Sequence, residues 1–299
     1  MPELPRFFDS HSHLQDRAFD ADREEVIARM KERGVFSVVV GTDFEMSQNA
    51  VALAEKHTNL FAAVGLHPRD TPEEKKRDGG FGFDTEKYRA LAAHPKVVAI
   101  GECGLDYFRM GAGDQESREG KREEELELER EKNRQREIFL AQIALAGEVN
   151  KPLIIHSRSR EAHNDLLEIL AEKKKDKKEN QGKKREKLRG IIHFFTESEE
   201  IARKYLALGF ALSFSGVISF AREYDAAICA APANMILSET DSPYAAPVPY
   251  RGKRNEPIFM EETVKKLAVV RGISGASESE QEKFREQLVA NAERIFGIL

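Results

Sequence analysis

Residues 6–13 read Arg6-Phe7-Phe8-Asp9-Ser10-His11-Ser12-His13, an apolar run that passes directly into a pair of histidines. We interpret its first part as a buried strand, Arg6–Ser10. Seven further short apolar runs are also predicted to be strands: Val35–Val40, Leu60–Val64, Val97–Ile100, Leu153–Ile155, Gly190–Ile192, Ala211–Phe214 and Met235–Ser238. Longer helical patterns separate them and close the chain: Asp22–Arg33, Met46–Lys56, Asp84–Ala93, Glu123–Val149, Glu161–Lys174, Ser198–Leu208, Tyr224–Ala230, Ile258–Arg271 and Ser277–Phe296.

The alternation of strands and helices decides the fold class. Parallel strands need crossover connections, so apolar strands that are each followed by a helix indicate an α/β protein with a parallel sheet. Several of these strands are apolar almost throughout, as in sheets that are covered on both faces. A count of eight favours closure into a (β/α)8 TIM-type barrel, and the lack of a Gly/Ser/Pro linker favours a single domain over residues 1–299.

Two charged segments interrupt this pattern. Residues 114–134 are rich in acidic side chains, and residues 172–189 are strongly basic. We expect both to be solvated loop insertions or helix extensions. The basic segment precedes the sixth strand, so it is expected at the amino-terminal face of the barrel, away from the carboxyl ends of the strands.

Composition limits the classes of function. The formal net charge of −5 argues against broad electrostatic capture of nucleic acid, so a phosphate-handling enzyme would need a local basic site. The two cysteines, Cys103 and Cys229, form no CxxC pair and indicate a reducing compartment; strand alternation turns Cys103 toward the core. No apolar run approaches the roughly 18 residues of a membrane span. Met1–Arg6 lacks the layout of a signal peptide, so we expect a cytoplasmic protein without membrane association.

The residues that follow the apolar runs point to one catalytic face. Active sites of such barrels form at the carboxyl ends of the strands, where the side chains that end different strands converge. Imidazoles and carboxylates end six of the predicted strands in this sequence: His11 and His13, His67, Glu102, His156, His193 and Asp241. We therefore predict a metal site built from these strand ends.

The spacing of His11 and His13 has a direct physical meaning. In an extended chain, residues two apart point the same way, so two imidazoles can bind one ion. Together with the ligand types at the other strand ends, the pair suits two borderline or hard ions such as Zn, Mn or Mg. Glu239 lies two residues before Asp241 and therefore on the same side of the chain, and its role in the site stays open.

Other titratable residues receive different interpretations. His57 and His94 lie near helix C-termini, where the helix dipole favours a cation, and are interpreted as structural. His163, one turn into a helix, is predicted to face solvent. Asp9 and Asp106 could orient the ligating histidines or make local hydrogen bonds, and the sequence leaves both possibilities open.

Six segments of the chain are similar to one protein family in content and in order: Phe8–Leu14, Gly65–Pro68, Ile100–Tyr107, Ile154–Arg158, Glu239–Tyr244 and Arg251–Pro257. At these residues the chain resembles the TatD-type metal-dependent deoxyribonucleases, a branch of the amidohydrolase-like barrels. The resemblance implies a TIM-type barrel, two divalent metal ions and hydrolysis of the phosphodiester bonds of DNA.

The resemblance also implies roles for individual residues. It implies ligands for two ions: His11, His13 and Asp241 for one, His156 and His193 for the other, and Glu102 as the bridge between them. Glu102 and Asp241 would be the catalytic residues, with Asp241 accepting a proton from the attacking water. The segment His193-Phe194-Phe195-Thr196-Glu197 departs from the family because it lacks a glycine there, so contacts to the substrate beside the second ion are expected to differ.

Three further residues are candidates for binding the substrate. His67, Arg158 and Arg251 are predicted to contact the non-bridging phosphate oxygens, since arginine offers a planar fork of donors. Arg251–Arg254 would supply the local basic site that the net charge requires. The expected partner is DNA with single-stranded ends, and the sequence indicates no protein partner.

Two alternatives compete with a deoxyribonuclease. The first is an amide-type hydrolase, either an amidohydrolase proper or a deacylase acting on D-aminoacyl-tRNA. Many amidohydrolase barrels bridge their metals with a carbamylated lysine from strand four, whereas this chain has Glu102 there, which favours the phosphodiester substrate. The second is a non-catalytic nucleic-acid-binding or scaffold protein on a decayed barrel. Ligand-type residues at every expected strand end argue against it.

Overall fold

The computed structural model describes residues 4–71, 82–108, 118–179, 188–273, 275 and 277–298. Eight parallel strands run in sequence order around one sheet: β1 Phe7–Ser12, β2 Val35–Val40, β3 Leu60–Val64, β4 Val97–Asp106, β5 Leu153–Arg158, β6 Gly190–Ile192, β7 Ala211–Phe214 and β8 Ile236–Ser238. The helices of the described residues are α1 Arg23–Arg33, α2 Phe44–Lys56, α3 Thr85–Ala92, α4 Arg118–Glu148, α5 Arg160–Glu179, α6 Glu199–Ala207, α7 Asp225–Ala230, α8 Met260–Val270 and α9 Glu278–Phe296. This order confirms the predicted (β/α)8 barrel.

The barrel closes just beyond the last strand. An isolated parallel bridge joins Ser12 to Ser242. The amide of Asp241 donates to the carbonyl of His11 at 2.9 Å, and the amide of His13 donates to the carbonyl of Ser242 at 2.8 Å. The first and last strands therefore meet at the carboxyl end of the barrel, next to the predicted ligands.

The strands are buried on both faces, as their apolar sequences predicted. All six residues of β2 are buried. Its residues alternate between two apolar clusters: Val39 packs with the surrounding helices, whereas Val38 and Val40 pack with other strands and α9. Polar side chains within the strands are therefore small or hydrogen-bonded, such as Ser37, whose hydroxyl pairs with that of Ser12 at 2.8 Å.

The helix α9 covers the amino-terminal end of the barrel. It begins at a capping box in which Ser277 and Glu280 satisfy each other's backbone amides. At its other end Phe296 stacks on Phe8 of β1 with ring centroids 6.0 Å apart. The side chain of Asn291 donates to the carbonyl of Ile236, at the start of β8, at 2.8 Å. Because this end is covered, the carboxyl ends of the strands form the accessible end of the barrel.

Strands β4 and β5 are longer than the sequence indicated. The predicted Val97–Ile100 extends to Asp106, and the predicted Leu153–Ile155 extends to Arg158. The backbone ladder continues past the apolar runs, pairing Asp106 with Arg158, so polarity did not mark the ends of these strands. Gly104 permits this pairing, because a Cβ on it, at φ +142°, would lie 2.0 Å from the carbonyl oxygen of His156.

The two charged segments are helical where they are described. Residues 118–134 belong to α4 and residues 172–179 to α5, so the expectation of loops is wrong there and that of helix extensions is correct. Residues 114–117 and 180–187 of the two segments lie outside the described residues. The ammonium group of Lys174 contacts the carbonyl of Leu208, shortly before β7, which places this part of the basic segment at the amino-terminal face.

His163 does not face solvent, contrary to the expectation from its place in the helix. Its side chain is buried, and its Nδ1 lies 3.0 Å from the hydroxyl of Tyr205 on α6. The correction has a simple reason: α5 packs this face against α6, which the helical period alone did not reveal. Cys103 is buried, as predicted. Among the described residues no helix is both long and apolar enough to cross a membrane.

Candidate metal centre

The first group of predicted ligands converges at the end of β1. The Nε2 atoms of His11 and His13 lie 3.1 Å apart. Oε2 of Glu102 lies 3.4 Å from His11 Nε2 and 3.7 Å from His13 Nε2. Oδ1 of Asp241 lies 3.6 Å and 3.5 Å from the same two nitrogens. Four potential ligand atoms thus face one point.

The second group lies on the other side of the same carboxylate. Oε1 of Glu102 is 2.8 Å from Nδ1 of His156 and 2.9 Å from Nε2 of His193. These two nitrogens are 3.3 Å apart. Each oxygen of Glu102 therefore faces a different pair of imidazoles.

The environment of Glu102 keeps it ionised. Burial alone would raise the pKa of this carboxyl, but the surrounding imidazoles of His193, His67 and His11 hold the pKa well below its usual range. Burial and the neighbouring His193 together lower the pKa of His11 from 6.5 to about 4. A buried carboxylate surrounded by imidazoles is the donor set that divalent cations bind.

Hydrogen bonds on the outer nitrogens prepare two of the imidazoles for a metal. His13 Nδ1 lies 2.9 Å from the carbonyl oxygen of Val40, which can only accept, so this nitrogen carries the hydrogen. His156 Nε2 lies 3.3 Å from Oδ2 of Asp106, whose carboxylate likewise accepts. The lone pairs of both rings therefore face Glu102, as in metal-ligating histidines with an outer acceptor.

The spacing of these atoms also fits a shared ion. Within each of the two groups, the distances between the potential ligand atoms given above run from 2.8 to 3.7 Å. Ligands about 2.0–2.2 Å from a tetrahedral zinc lie about 3.3–3.6 Å from one another. Acceptor atoms this close repel each other unless a proton or a metal cation lies between them, so both groups can take up a divalent metal in place of protons.

The two aspartates that the sequence left open have different roles. Asp106 contacts the imidazole of His156, as described above, and therefore can orient it. Asp9 instead accepts from the amide of Thr240 at 2.9 Å and from the amide of His11 at 3.2 Å. Its contacts are local hydrogen bonds that tie β1 to the end of β8.

His67 lies at the edge of the second group, with its Nε2 3.5 Å from Oε1 of Glu102. Its Nδ1 accepts from the amide of Arg69 at 3.1 Å, so the ring hydrogen is on Nε2 and points toward the centre. Burial lowers the pKa of His67 from 6.5 to about 3, which keeps the ring neutral. His67 therefore presents a neutral N–H donor to the site in this tautomer, and its ring also lies close enough to Glu102 and His156 for the three to hold a metal ion.

The predicted arginines Arg158 and Arg251 each lie over an aromatic ring. The guanidinium of Arg158 lies 4.0 Å from the ring centroid of Phe108, and that of Arg251 lies 4.1 Å from the ring centroid of Phe220. Both side chains are exposed. Arg254 is not available for a ligand, because it makes two hydrogen bonds of 2.7 and 2.6 Å to Asp22.

Sequence reasoning gave no role to Tyr244, which lies beside the predicted ligand His13. Its ring is 57% exposed and its centroid lies 6.3 Å from that of His13. Phe220 and Val248 are also exposed, and the amide of Val248 donates to the hydroxyl of Ser219, next to Phe220, at 2.9 Å. Tyr244 ends the segment Glu239–Tyr244, so its place beside the ligand Asp241 was the available signal.

Comparison with known proteins agrees with this geometry. The sequence profile described as TatD related DNase matches residues 8–297. The metal-dependent hydrolase YabD of Bacillus subtilis is 36% identical over 97% of this chain and 99% of its own length. The 3'-5' ssDNA/RNA exonuclease TatD of Cronobacter sakazakii is 32% identical over 89% of this chain and 90% of its own length.

A solved structure gives the same result in three dimensions. The crystal structure of YJJV, a TatD homologue from Escherichia coli, superimposes with a TM-score of 0.77 and 25% identity. The match covers 98% of this chain and 99% of the other. The family match over nearly the whole chain and the group of histidines around Glu102 lead to one conclusion. The chain belongs to the family of TatD-related DNases and is a metal-dependent hydrolase.

Proposed function

We propose that this protein hydrolyses phosphodiester bonds of nucleic acid, acting from the ends of single-stranded DNA. Its ligands would hold two divalent ions, Mg, Mn or Zn: His11, His13 and Asp241 for one, His156 and His193 for the other, and Glu102 for both. The family supports a nuclease, and the relative from Cronobacter sakazakii carries the name of a single-strand exonuclease.

One observation carries the two-ion proposal, namely the placement of Glu102. Its Oε2 lies within 3.7 Å of two imidazole nitrogens, and its Oε1 lies within 2.9 Å of two others. A carboxylate that served one ion would not need an imidazole pair at each oxygen. When bound, two ions would supply the positive charge that acidifies a water and offsets charge on the attacking and leaving oxygens at phosphorus.

The two carboxylates, Glu102 and Asp241, differ in how exposed they are to solvent. The side chain of Glu102 is 5% exposed, whereas that of Asp241 is 15% exposed. A proton acceptor in a hydrolase must return its proton to solvent, which favours the more exposed group. We therefore assign to Asp241 the role of accepting the proton of the attacking water, while Glu102 would be the ligand shared by both ions.

The surroundings of the site favour a nucleic-acid strand over a small amide. His67 can donate its Nε2 hydrogen to a phosphate oxygen beside the second group. Arg251 lies on Phe220 at the rim, and Tyr244 presents an exposed ring beside His13. Aromatic rings and arginines together bind single strands, because bases stack on the rings and phosphates pair with the guanidinium groups. Arg158, on Phe108, offers a further phosphate contact.

The proposal is tested on protein that a chelator has freed of metal and that is then loaded with Mg, Mn or Zn in turn. The substrates are 3'-labelled and 5'-labelled single-stranded DNA, with D-aminoacyl-tRNA as the comparator for the amide-type alternative. We expect metal-dependent release of nucleotides from one labelled end and no deacylation. Deacylation of D-aminoacyl-tRNA without cleavage of DNA would refute the nuclease proposal and support the amide-hydrolase alternative. The Glu102→Gln protein serves as the control for contaminating nuclease.

A further inference from the structure

The rings of His11 and His193 connect the two groups of ligands. They stack face to face, with centroids 3.9 Å apart and an interplanar angle of 14°. Both Nε2 atoms point to Glu102, His11 toward Oε2 at 3.4 Å and His193 toward Oε1 at 2.9 Å. The two rings come from β1 and from the end of β6, and each belongs to a different proposed metal.

A second carboxylate, Glu239, lies on the far side of these rings. It follows β8 and is fully buried. Its Oε1 accepts from the amide of Phe194 at 2.6 Å and lies 3.4 Å from Nδ1 of His193. One ligand-type atom from each of His11, His193 and Glu239 lies within 4.8 Å of the other two. The stacked rings are thus held between two carboxylates.

Three buried atoms in this arrangement have no hydrogen-bond partner: His11 Nδ1, His193 Nδ1 and Glu239 Oε2. Leaving a buried polar atom unpaired costs about 1–3 kcal/mol. Two of these atoms are ring nitrogens that can donate, and the third is a carboxylate oxygen that can only accept. The carboxylate of Glu239 is an available acceptor for these hydrogens, and its Oε1 already lies 3.4 Å from Nδ1 of His193.

The chemistry of imidazole decides whether Glu239 is an acceptor or a metal ligand. A neutral imidazole has one lone pair for a metal and one N–H. In both rings Nε2 faces Glu102, so the lone pairs are used there and the hydrogens lie on Nδ1. A third ion at Glu239 would have to displace these hydrogens, so the arrangement favours Glu239 as an acceptor.

We propose that Glu239 is a positioning residue that accepts the Nδ1 hydrogens of both His11 and His193 and so couples the two metal sites. The proposal rests on the two-ion site proposed above. The partner accepting the outer hydrogen of a ligating histidine fixes its tautomer and increases its basicity. Since Glu239 serves one histidine of each group, its loss affects both ions at once.

The test compares Glu239→Gln with Asp106→Asn, because Asp106 contacts only His156 among the proposed ligands. Zinc is titrated calorimetrically into metal-free protein of each variant and of the wild type. Glu239→Gln should weaken the binding of both ions by about 10–100-fold, the usual cost of losing an outer partner. Asp106→Asn should weaken one ion. If Glu239→Gln leaves either ion within about threefold of the wild type, the coupling is refuted.

A spectroscopic experiment does not depend on metal binding. Its first measurement, on the wild-type protein, also does not depend on whether the variants fold. Nitrogen shifts of labelled histidines report which ring nitrogen carries the hydrogen. We expect Nδ1–H for both His11 and His193, with both resonances shifted in Glu239→Gln and unshifted in Asp106→Asn. An Nε2–H tautomer for either ring would overturn the proposal. If the wild type binds a single ion, the two-ion function fails, while these shifts still decide the role of Glu239.

Discussion

The burial of His163 leads to a quantitative prediction of how the free energy of unfolding depends on pH. Its imidazole is 3% exposed and lies against Tyr205 and Phe195. Burial, with smaller contributions from the charges of His156 and Arg160, lowers the pKa of His163 from 6.5 to about 3. Below pH 6.5 the unfolded chain therefore binds a proton that the folded protein does not. The free energy of unfolding is at its full value above pH 6.5 and falls as the pH approaches 3.

The magnitude follows from these two values. A pH of 5 lies 1.5 pH units below the unfolded pKa of 6.5, so the unfolded imidazole is almost fully protonated, whereas the folded imidazole, with a pKa of about 3, stays almost entirely neutral. At about 1.4 kcal/mol per unit, the free energy of unfolding at pH 5 is about 2 kcal/mol lower than at pH 7 because of His163 alone.

The assay is urea unfolding of metal-free protein at pH 7 and pH 5, for the wild type and two variants. His163→Gln should reduce the difference between the two pH values by about 2 kcal/mol. Tyr205→Phe is the matched control: it removes the hydroxyl 3.0 Å from Nδ1 of His163 but keeps the titrating ring, so the pH difference should persist. Equal pH differences in the wild type and His163→Gln would falsify the reasoning.

Three further predictions concern the site. Glu102→Gln should lower kcat by at least about 100-fold and reduce bound metal below two ions per chain. Even the loss of an outer partner of a ligand costs about 10–100-fold in metal affinity or activity. A wild-type rate of cleavage in a single-turnover assay would rule out the bridging role. Arg251→Ala should raise KM for single-stranded DNA and reduce the slope of log K against log salt by about one; an unchanged slope would make Arg251 a purely structural partner of Phe220. Tyr244→Ala should weaken binding of single strands by about 1–3 kcal/mol, the cost of one stacked base, while Tyr244→Phe should bind within about threefold of the wild type; equal losses in both would remove stacking as the cause.

The barrel and the grouping of ligands could be predicted from sequence because both depend on local pattern. Apolar runs specify buried strands, and the polar residue that ends each run is carried to the same face whatever the helices between do. His11 and Asp241 could therefore be placed near each other without knowing any contact. The lengths of the strands were harder to predict from the sequence. Strand β4, for example, continues through Glu102 to Asp106 by backbone pairing that does not depend on apolar side chains.

What sequence could not supply are contacts between distant residues. Arg254 was expected to serve the substrate, but Asp22, 232 positions earlier, engages it. His163 was placed in solvent because nothing local indicates Tyr205, 42 positions later. The position of Glu239 on the far side of His193 depends on how β8 aligns with β6. Such pairs are decided by the packing of whole elements against one another.

The seam between the first and last strands has a consequence for chain folding. Asp9 and Thr240, which join there, are 231 positions apart. Closing a loop of that length costs about 5 kcal/mol in chain entropy. An ion held by His11, His13 and Asp241, as proposed, would draw ligands from both sides of this seam and act as a removable cross-link. Taking the metal away would then loosen the barrel along one line, and the backbone amides of His13 and Asp241 would exchange with solvent before those of β2 or β3.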